Sequence, residues 1–173
     1  KIHLQICEQL QVKASDLFTN QFNTMTGELN ETQINNLLSS QVVGRLGCSR
    51  GKQAYVVPVT FAYHAIYIYG QTTEGSKLEI LRKNPKVCFE VDTMTDMKNW
   101  KSVVIEGTFE ELNSKEAEQT REILYNRIFP LSTSSTIHMY GHQQNDEVDD
   151  NAKVKDVMYR IRIKKVSGRF EKG

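Results

Sequence analysis

The sequence predicts a mainly β (α+β) fold: an antiparallel β-barrel or strongly curled sheet with helices at its periphery. Six segments rich in β-branched and aromatic residues, mostly joined by short connections, predict the strands. Three helical segments are scattered among these strands and do not alternate with them, so we do not expect a Rossmann sheet. Neither GxGxxG nor GxxxxGK[ST] occurs in the sequence, which also argues against a P-loop fold.

Length and composition indicate one globular domain. The 173 residues are 39% hydrophobic and 25% charged, which is typical of an ordinary soluble protein. A net charge of +1 provides no general field for nucleic acid or an anionic membrane, so we expect neither as a partner. The widely spaced Cys7, Cys48 and Cys88 do not suit zinc and favour a reducing, cytoplasmic compartment. We find no apolar run of membrane-spanning length and no secretory signal.

The first 27 residues are interpreted as a helical extension and a linker. Their apolar residues recur at loose helical spacing and are followed by a polar, turn-prone segment. These apolar residues are Ile2, Ile6, Leu10 and Leu17. We therefore divide the chain into residues 1–27 and a single domain at residues 28–173.

The domain is predicted to begin with a helix and to continue as strands. Leu29–Gln41 is predicted to be helical, since Asn30 and Gln33 have the spacing of a capping box. The strands that follow are Val42–Ser49, Tyr55–Tyr63, Ala65–Gly70, Val87–Asp92, Ser102–Leu112 and Val157–Val166. The second and third are joined so tightly that they must be antiparallel neighbours. Pro58 predicts an edge, a bulge or a non-strand neighbour, and Gly107 a bulge or a close approach.

The last third of the chain is predicted to hold a helix, a loop and a final strand. Ser114–Phe129 has apolar residues on one helical face, and Pro130 ends it. These apolar residues are Ala117, Ile123, Leu124 and Ile128. The polar, acidic segment at about 131–156 is interpreted as a loop. In the final strand Tyr159, Ile161 and Ile163 alternate with Arg160, Arg162 and Lys164.

Two polar clusters in this region carry no function in our interpretation. His138 and His142 have an i, i+4 spacing, but a metal site needs a third ligand, so we interpret them as surface histidines and predict no metal site. The cations of the final strand lack an aromatic stacking platform, and we interpret them as one solvated face of that strand.

The stretch from Ala65 to Asp92 holds the most compact chemistry in the sequence. Ser76 and Glu79 have the spacing of a capping box, and the helix that they begin ends before Pro85. A helix N-terminus presents unpaired N–H groups and the positive end of the helix dipole, and Lys77 adds a full charge beside them. Two interpretations stay open: a phosphate-binding turn, or a capped structural helix with a solvated lysine.

Four stretches of the chain follow one known pattern in the same order. They are LLSSQVVGRLGCS with YVVPVTFAY, IYIYGQTTEGSKLEILRKNPKVCFEVD, NWKSVVIEGTFEEL, and VMYRIRIKKVSGRF. On these residues, about Leu29 to Phe170, the sequence resembles the pyridoxamine 5′-phosphate oxidase-like FMN-binding split barrels. The branch that it resembles most is the one related to nitroimidazole-resistance proteins. The motif EGxK-LExLRxNPxVxFxV is the most specific part of the resemblance.

The resemblance implies a homodimer of six-stranded antiparallel split barrels that holds FMN at or near the subunit interface. The residues implied for the phosphate are Arg45, Gly75, Ser76 and Lys77. The isoalloxazine ring would lie along Val57, Pro58, Val59 and Thr60, with Gln71 and Thr72 following the third strand. Trp100, Lys101 and Ser102 open a strand that, by resemblance, comes close to the flavin from one of the two subunits.

The function implied by the resemblance is an FMN-dependent oxidoreductase that passes electrons from NAD(P)H to an unidentified small molecule. Many relatives carry a histidine near the end of the third strand, where this chain has Gln71, and a glutamine cannot act as an acid or a base. No side chain is therefore assigned as a catalytic acid or base. No signature for pyridoxamine phosphate as the substrate is present. The alternative is a non-catalytic flavin- or haem-binding module that acts as a store or sensor.

Overall fold

The computed structural model describes residues 24–128 and 156–173, which contain eight strands and three helices. The strands are β1 (Met25–Glu28), β2 (Val43–Arg50), β3 (Gln53–Thr60), β4 (Ala62–His64), β5 (Tyr67–Thr73), β6 (Lys86–Asp96), β7 (Asn99–Glu111) and β8 (Asp156–Lys172). The helices are α1 (Glu31–Ser40), α2 (Ser76–Lys83) and α3 (Ser114–Ile128).

All described strands belong to one antiparallel sheet. Its order is β3-β2-β6-β7-β8-β5-β4, and β1 pairs with the far end of β8. β8 is 17 residues long, and it pairs with β7 along most of its length and with β5 along its first half. The sheet curls around its core without closing, and its antiparallel, barrel-like architecture confirms the predicted fold class.

Two differences from the predicted strands change the topology of the sheet. The predicted strand Tyr55–Tyr63 is broken at Phe61, whose N–H donates to the carbonyl of Val42 at 2.9 Å. The residues after the break form β4. β4 pairs with β5 in antiparallel orientation, as we predicted from the short link between the two strands. β1 lies in a segment that we assigned to the linker. Its four residues have little intrinsic strand preference, and pairing with β8 determines their conformation.

The core lies on the concave face of the sheet, with α1 and α2 packed over it. Phe61 and Phe89, both fully buried, meet edge to face with ring centroids 5.0 Å apart. Gly44 makes room for this pair, because a Cβ atom on Gly44 would lie 2.4 Å from Cζ of Phe89. Gly70 does the same for Tyr159, whose ring crosses the β5 backbone at that position.

Pro58 and Gly107 mark irregular positions, as predicted. β3, which contains Pro58, pairs with β2 alone within the described residues, so the missing N–H faces an edge. The register between β7 and β8 shifts at Gly107, and a Cβ there would lie 2.5 Å from Cγ2 of Ile161. Pro58 thus lies where the strand needs no further N–H donor, and Gly107 lies where a side chain would clash with Ile161.

The helices begin and pack largely as predicted. The side chain of Asn30 accepts from the N–H of Gln33 at 2.9 Å, and the reciprocal bond is also 2.9 Å, which confirms the capping box of α1. α3 covers the outer face of β4 and β8 through the apolar residues that the sequence placed on one side. None of the helices within 24–128 and 156–173 combines the length and apolarity that a membrane crossing needs. His138 and His142 lie outside the described residues.

Candidate functional site

The N-terminal turn of α2 starts one residue earlier than predicted. Gly75 is the N-cap at φ 154° and ψ −174°, a backbone region open in practice only to glycine. The N–H of Glu79 donates to the carbonyl of Gly75 at 3.1 Å, and no side chain caps the helix. The predicted capping box of Ser76 and Glu79 is therefore wrong, because the bend at Gly75 moves Ser76 into the first helical position.

The side chain of Lys77 is half-buried between α2 and the concave face of β2. Burial lowers the pKa of Lys77, and the neighbouring Cys48 acts on it in the opposite direction. Burial also raises the pKa of Cys48, which keeps that thiol neutral. No carboxylate within the described residues pairs with Lys77. The turn thus holds a partly desolvated cation that no carboxylate of residues 24–128 and 156–173 neutralises.

Glu74 precedes this turn, and Arg82 neutralises it. Nη1 and Nη2 of Arg82 each donate to a different carboxylate oxygen of Glu74 at 2.8 Å. The same guanidinium donates to Glu111 at the end of β7, at 2.7 and 3.0 Å. Arg82 therefore connects the loop before α2 to the sheet and removes the negative charge that would otherwise lie beside Ser76 and Lys77.

Arg45 lies on the convex face of β2, opposite to the face that Lys77 approaches. Its guanidinium donates to Glu90 at 2.9 Å and to Asp92, both on β6. Ser102 joins this network, since its hydroxyl donates to Glu90 at 2.8 Å. Pro58 of β3 pairs with Arg45 across the sheet. Arg45 and Ser102 thus form a separate group from the turn of α2 within one chain.

The other predicted residues on β3 divide between the two faces of the sheet. Val59 is buried and Val57 is partly buried, and both pack into the core. Pro58 and Thr60 point outward and are exposed on the same face as Arg45. β3 therefore offers an exposed edge next to the convex network.

The remaining predicted residues lie on β5 and at the start of β7. Gln71 and Thr72 lie on β5 opposite Met158 and Val157, and the Thr72 hydroxyl, buried, donates to the carbonyl of Thr73 at 3.3 Å. Trp100 pairs with the other end of β8, where its Nε1 donates to Glu171 at 2.9 Å. Within one chain, Trp100 is thus already engaged by β8.

One buried polar atom near Gln71 was not found by sequence reasoning. The hydroxyl of Tyr159 lies over Gly70, and within the part of the chain that the structure describes it has no hydrogen-bond partner. Burial raises the pKa of Tyr159 far above its usual range, so this hydroxyl is a permanent donor. The alternation of residues in β8 predicted only that Tyr159 lies on the face opposite to the cations. An unpaired buried donor beside β5 indicates a place where a polar atom from outside the protein would be stabilised.

The architecture is that of the split-barrel proteins: a curled antiparallel sheet with helices packed against it. The short helix between β5 and β6 carries a cation at its start. The family model described as pyridoxamine 5′-phosphate oxidase matches residues 30–170. The chain therefore belongs to the pyridoxamine 5′-phosphate oxidase family, which confirms the resemblance seen in the sequence.

Individual relatives agree with this assignment. The crystal structure of an FAD-binding protein from Mesorhizobium loti is 28% identical, with a TM-score of 0.65 over 84% of this chain and 98% of that one. A putative 5-nitroimidazole antibiotic resistance protein from Bacteroides thetaiotaomicron shares the fold, at 17% identity and a TM-score of 0.62 over 86% of this chain and 91% of that one. An uncharacterised protein of Rhizobium meliloti (strain 1021) is 37% identical over 70 residues, 40% of this chain. That match spans only 46% of the relative's own length.

Proposed function

We propose that this protein binds FMN and uses it as an NAD(P)H-dependent oxidoreductase acting on a small molecule. The observation that carries the proposal is the half-buried Lys77 at the N-terminal turn of α2, which has no carboxylate partner among the described residues. By the resemblance described above, this turn would receive the flavin phosphate. A dianionic phosphate would accept from the free N–H groups of the turn and would offset the desolvation of the lysine.

The residues around the turn fit a phosphate group. A Cβ atom added at Gly75 would meet nothing within 4 Å, so the backbone there is open to a ligand. Glu74, the nearest acidic residue before the helix, is held by Arg82. Arg45 fits less well, because Glu90 and Asp92 already satisfy it. We therefore assign the phosphate to Gly75, Ser76 and Lys77.

We further propose a homodimer with the flavin near its interface. The predicted contacts fall into two groups on opposite faces of β2, and a ligand that touches both groups requires a second chain. The convex face also carries exposed apolar side chains beside the Arg45 network, as expected of a surface that another protein covers. These side chains are Val43, Val56, Met94 and Val104.

When bound, the flavin would supply the redox chemistry by accepting and passing on a hydride. The protein's own contribution would be to hold the phosphate, to orient the ring and to limit access. Gln71, half-buried on β5, can donate and accept hydrogen bonds but cannot transfer a proton at neutral pH. This favours, as a second candidate, a non-catalytic flavin store or sensor.

The visible spectrum of the purified protein, followed by anaerobic titration with NADH and NADPH, tests the proposal. We expect a flavin spectrum, or its appearance when FMN is added, and bleaching by a reduced nicotinamide. A flavin that stays oxidised under excess NADH and NADPH would support the store or sensor instead. A protein that remains colourless and does not bind added FMN would exclude both functions.

Replacing Arg82 by alanine is expected to weaken FMN binding several-fold and riboflavin binding much less. The reason is that the Glu74 carboxylate, which lies next to the phosphate turn, would lose both hydrogen bonds from Arg82 and the positive charge that neutralises it. Fluorescence quenching of the two flavins measures the difference.

The Glu74→Gln substitution provides the control for this prediction. If Arg82 acts by neutralising Glu74, the double variant should recover most of the lost FMN affinity. A double variant as weak as Arg82→Ala alone would show that Arg82 acts only through its contact with Glu111.

A further inference from the structure

An opening in the sheet lies beside Gly70, over which the buried ring of Tyr159 crosses. β4 pairs with Tyr67–Tyr69 only, so residues 70–73 of β5 have no strand partner on that edge within the described parts of the chain. β3 pairs with β2 alone among the described strands, and it lies close to β5 without forming a ladder with it. We call the opening between residues 57–60 of β3 and residues 70–73 of β5 the seam.

The fold brings the end of β3 next to Gly70. Thr60 is the last residue of β3, and Ala62, which follows soon after it, pairs with Tyr69 of β5. The residues that the resemblance implies for the isoalloxazine ring therefore lie on both sides of the seam. They are Val57, Pro58, Val59 and Thr60 on β3, and Gln71 and Thr72 on β5. A ring that contacts both sets would lie in the seam.

β5 leads from the seam directly to the phosphate turn. The chain from Gly70 to Gly75 spans at most about 18 Å, and an extended FMN molecule is of comparable length. FMN with its phosphate at Lys77 can therefore place its ring at Gly70. Because no backbone ladder joins β3 to β5, the ring can enter the seam without breaking hydrogen bonds between these two strands.

The hydroxyl of Tyr159 offers this ring a hydrogen-bond donor. The side chain is 1% exposed, and its Oη has no hydrogen-bond partner within the described residues. A buried donor without a partner costs free energy, which an acceptor atom of a ligand would recover. Burial raises the pKa of Tyr159 far above its usual range, so the hydroxyl keeps its proton. Both carbonyl oxygens of an isoalloxazine ring lie on its pyrimidine edge, whereas the dimethylbenzene edge has no acceptor.

We propose that Tyr159 holds the flavin ring by donating a hydrogen bond from Oη to a carbonyl oxygen of the pyrimidine edge, which enters the seam. This inference rests on the proposed flavin site at α2. The pyrimidine edge then faces Gly70, and the dimethylbenzene edge points away from it. The hydroxyl is unpaired in the flavin-free protein and paired in the flavin-bound protein. The contact therefore favours binding and contributes nothing to the stability of the free chain.

Replacing Tyr159 by phenylalanine in the full chain tests the inference. We expect FMN, riboflavin and lumiflavin each to bind about 2- to 10-fold more weakly, the effect of one hydrogen bond between neutral groups. Lumiflavin lacks the ribityl chain and the phosphate, so an equal loss for all three ligands assigns the contact to the ring. The Lys77→Ala variant should differ, since it weakens FMN and leaves lumiflavin unaffected. Fluorescence quenching measures the three affinities.

Urea denaturation of the flavin-free protein provides a second readout. The midpoint of Tyr159→Phe should be unchanged or higher, because the substitution removes an unpaired buried donor. Tyr63→Phe is the matched control, since the hydroxyl of Tyr63 donates to Oδ1 of Asn35 at 2.8 Å. Loss of that bond should lower the midpoint and leave the affinity for all three flavins unchanged.

The other outcomes contradict the inference at different steps. If the midpoint of Tyr159→Phe falls as far as that of Tyr63→Phe, the hydroxyl is already paired in the free protein and the inference is wrong. An unchanged FMN affinity in Tyr159→Phe, or a loss confined to FMN, would also overturn it and would leave the proposed function intact. If the unmodified protein binds no flavin, the proposed function itself fails, and the inference fails with it.

Discussion

Replacing Lys77 by alanine is expected to weaken FMN binding by about 10- to 100-fold, the range for a hydrogen bond to a charged group of about 1.5–3 kcal/mol. The ammonium group is half-buried and has no carboxylate partner in the described structure, so its full charge is available to a phosphate bound at this turn. Fluorescence quenching or calorimetry with FMN measures the loss, and circular dichroism checks that the variant is folded.

Riboflavin is the control ligand for this prediction, because it lacks the phosphate. Its affinity should change little in Lys77→Ala, and Lys115→Ala, which removes an exposed cation on α3, should leave both flavins unaffected. Lys77→Arg should recover part of the FMN affinity. If FMN and riboflavin weaken equally in Lys77→Ala, the phosphate does not lie at α2.

The lowered pKa of Lys77 also gives this contact a pH dependence. Between the second pKa of a phosphate monoester, about 6, and the pKa of Lys77, both groups are charged and FMN affinity is constant. As the pH rises through the pKa, the free lysine loses its proton while the phosphate-bound lysine retains it, so affinity falls. Because burial lowers the pKa, the fall should begin at a lower pH than for an ordinary lysine. The Lys77→Ala variant should not show this fall in FMN affinity with rising pH.

Replacing Phe89 by alanine is expected to reduce the free energy of unfolding by about 3–5 kcal/mol. Its ring is fully buried on β6 and meets Phe61 edge to face, so removing it leaves a cavity at the centre of the core. Urea denaturation measures the change. Met97→Ala, in the turn after β6, is the control: its side chain is 83% exposed, and the expected change is below about 0.5 kcal/mol.

Gly44 allows a sharper form of this experiment. In the unmodified protein Gly44→Ala should be strongly destabilising, since the new methyl group would lie 2.4 Å from the Phe89 ring. In the Phe89→Ala background most of that clash disappears, and Gly44→Ala should be milder, although the carbonyl of Glu90 remains 3.0 Å away. Strictly additive effects in this cycle would contradict the packing described here.

The parts of the fold that depend on local patterns could be predicted from the sequence. The alternation in β8, the capping box at Asn30, and the special positions of Pro58 and Gly107 all follow from properties of single residues and their neighbours. β1 could not be predicted, because its strand conformation depends on pairing with residues more than 140 positions away. The break at Phe61 likewise involves contacts between distant residues, since its N–H donates to Val42 and its ring packs against Phe89.

The candidate site, like the fold, could be predicted only where it depends on neighbouring residues. The turn at Lys77 could be identified from its own residues and from the family motif, whereas the one-residue shift of the helix start came from the backbone of Gly75. Glu74 and Arg82 are both in the motif that carried the resemblance, but only the fold brings Glu111 to the same guanidinium. The partners of Arg45 were missed because they lie 45 and 47 residues further along the chain.

The position of β8 in the sheet has a consequence for how the chain folds. β8 follows every strand with which it pairs, and it supplies partners to β1, β5 and β7. Until β8 is added, the long edge of β7 and one edge of β5 have no partner. Because such contacts join distant residues, we expect folding to be slow compared with helical proteins of similar size. During synthesis, these edges would stay open to aggregation until β8 leaves the ribosome.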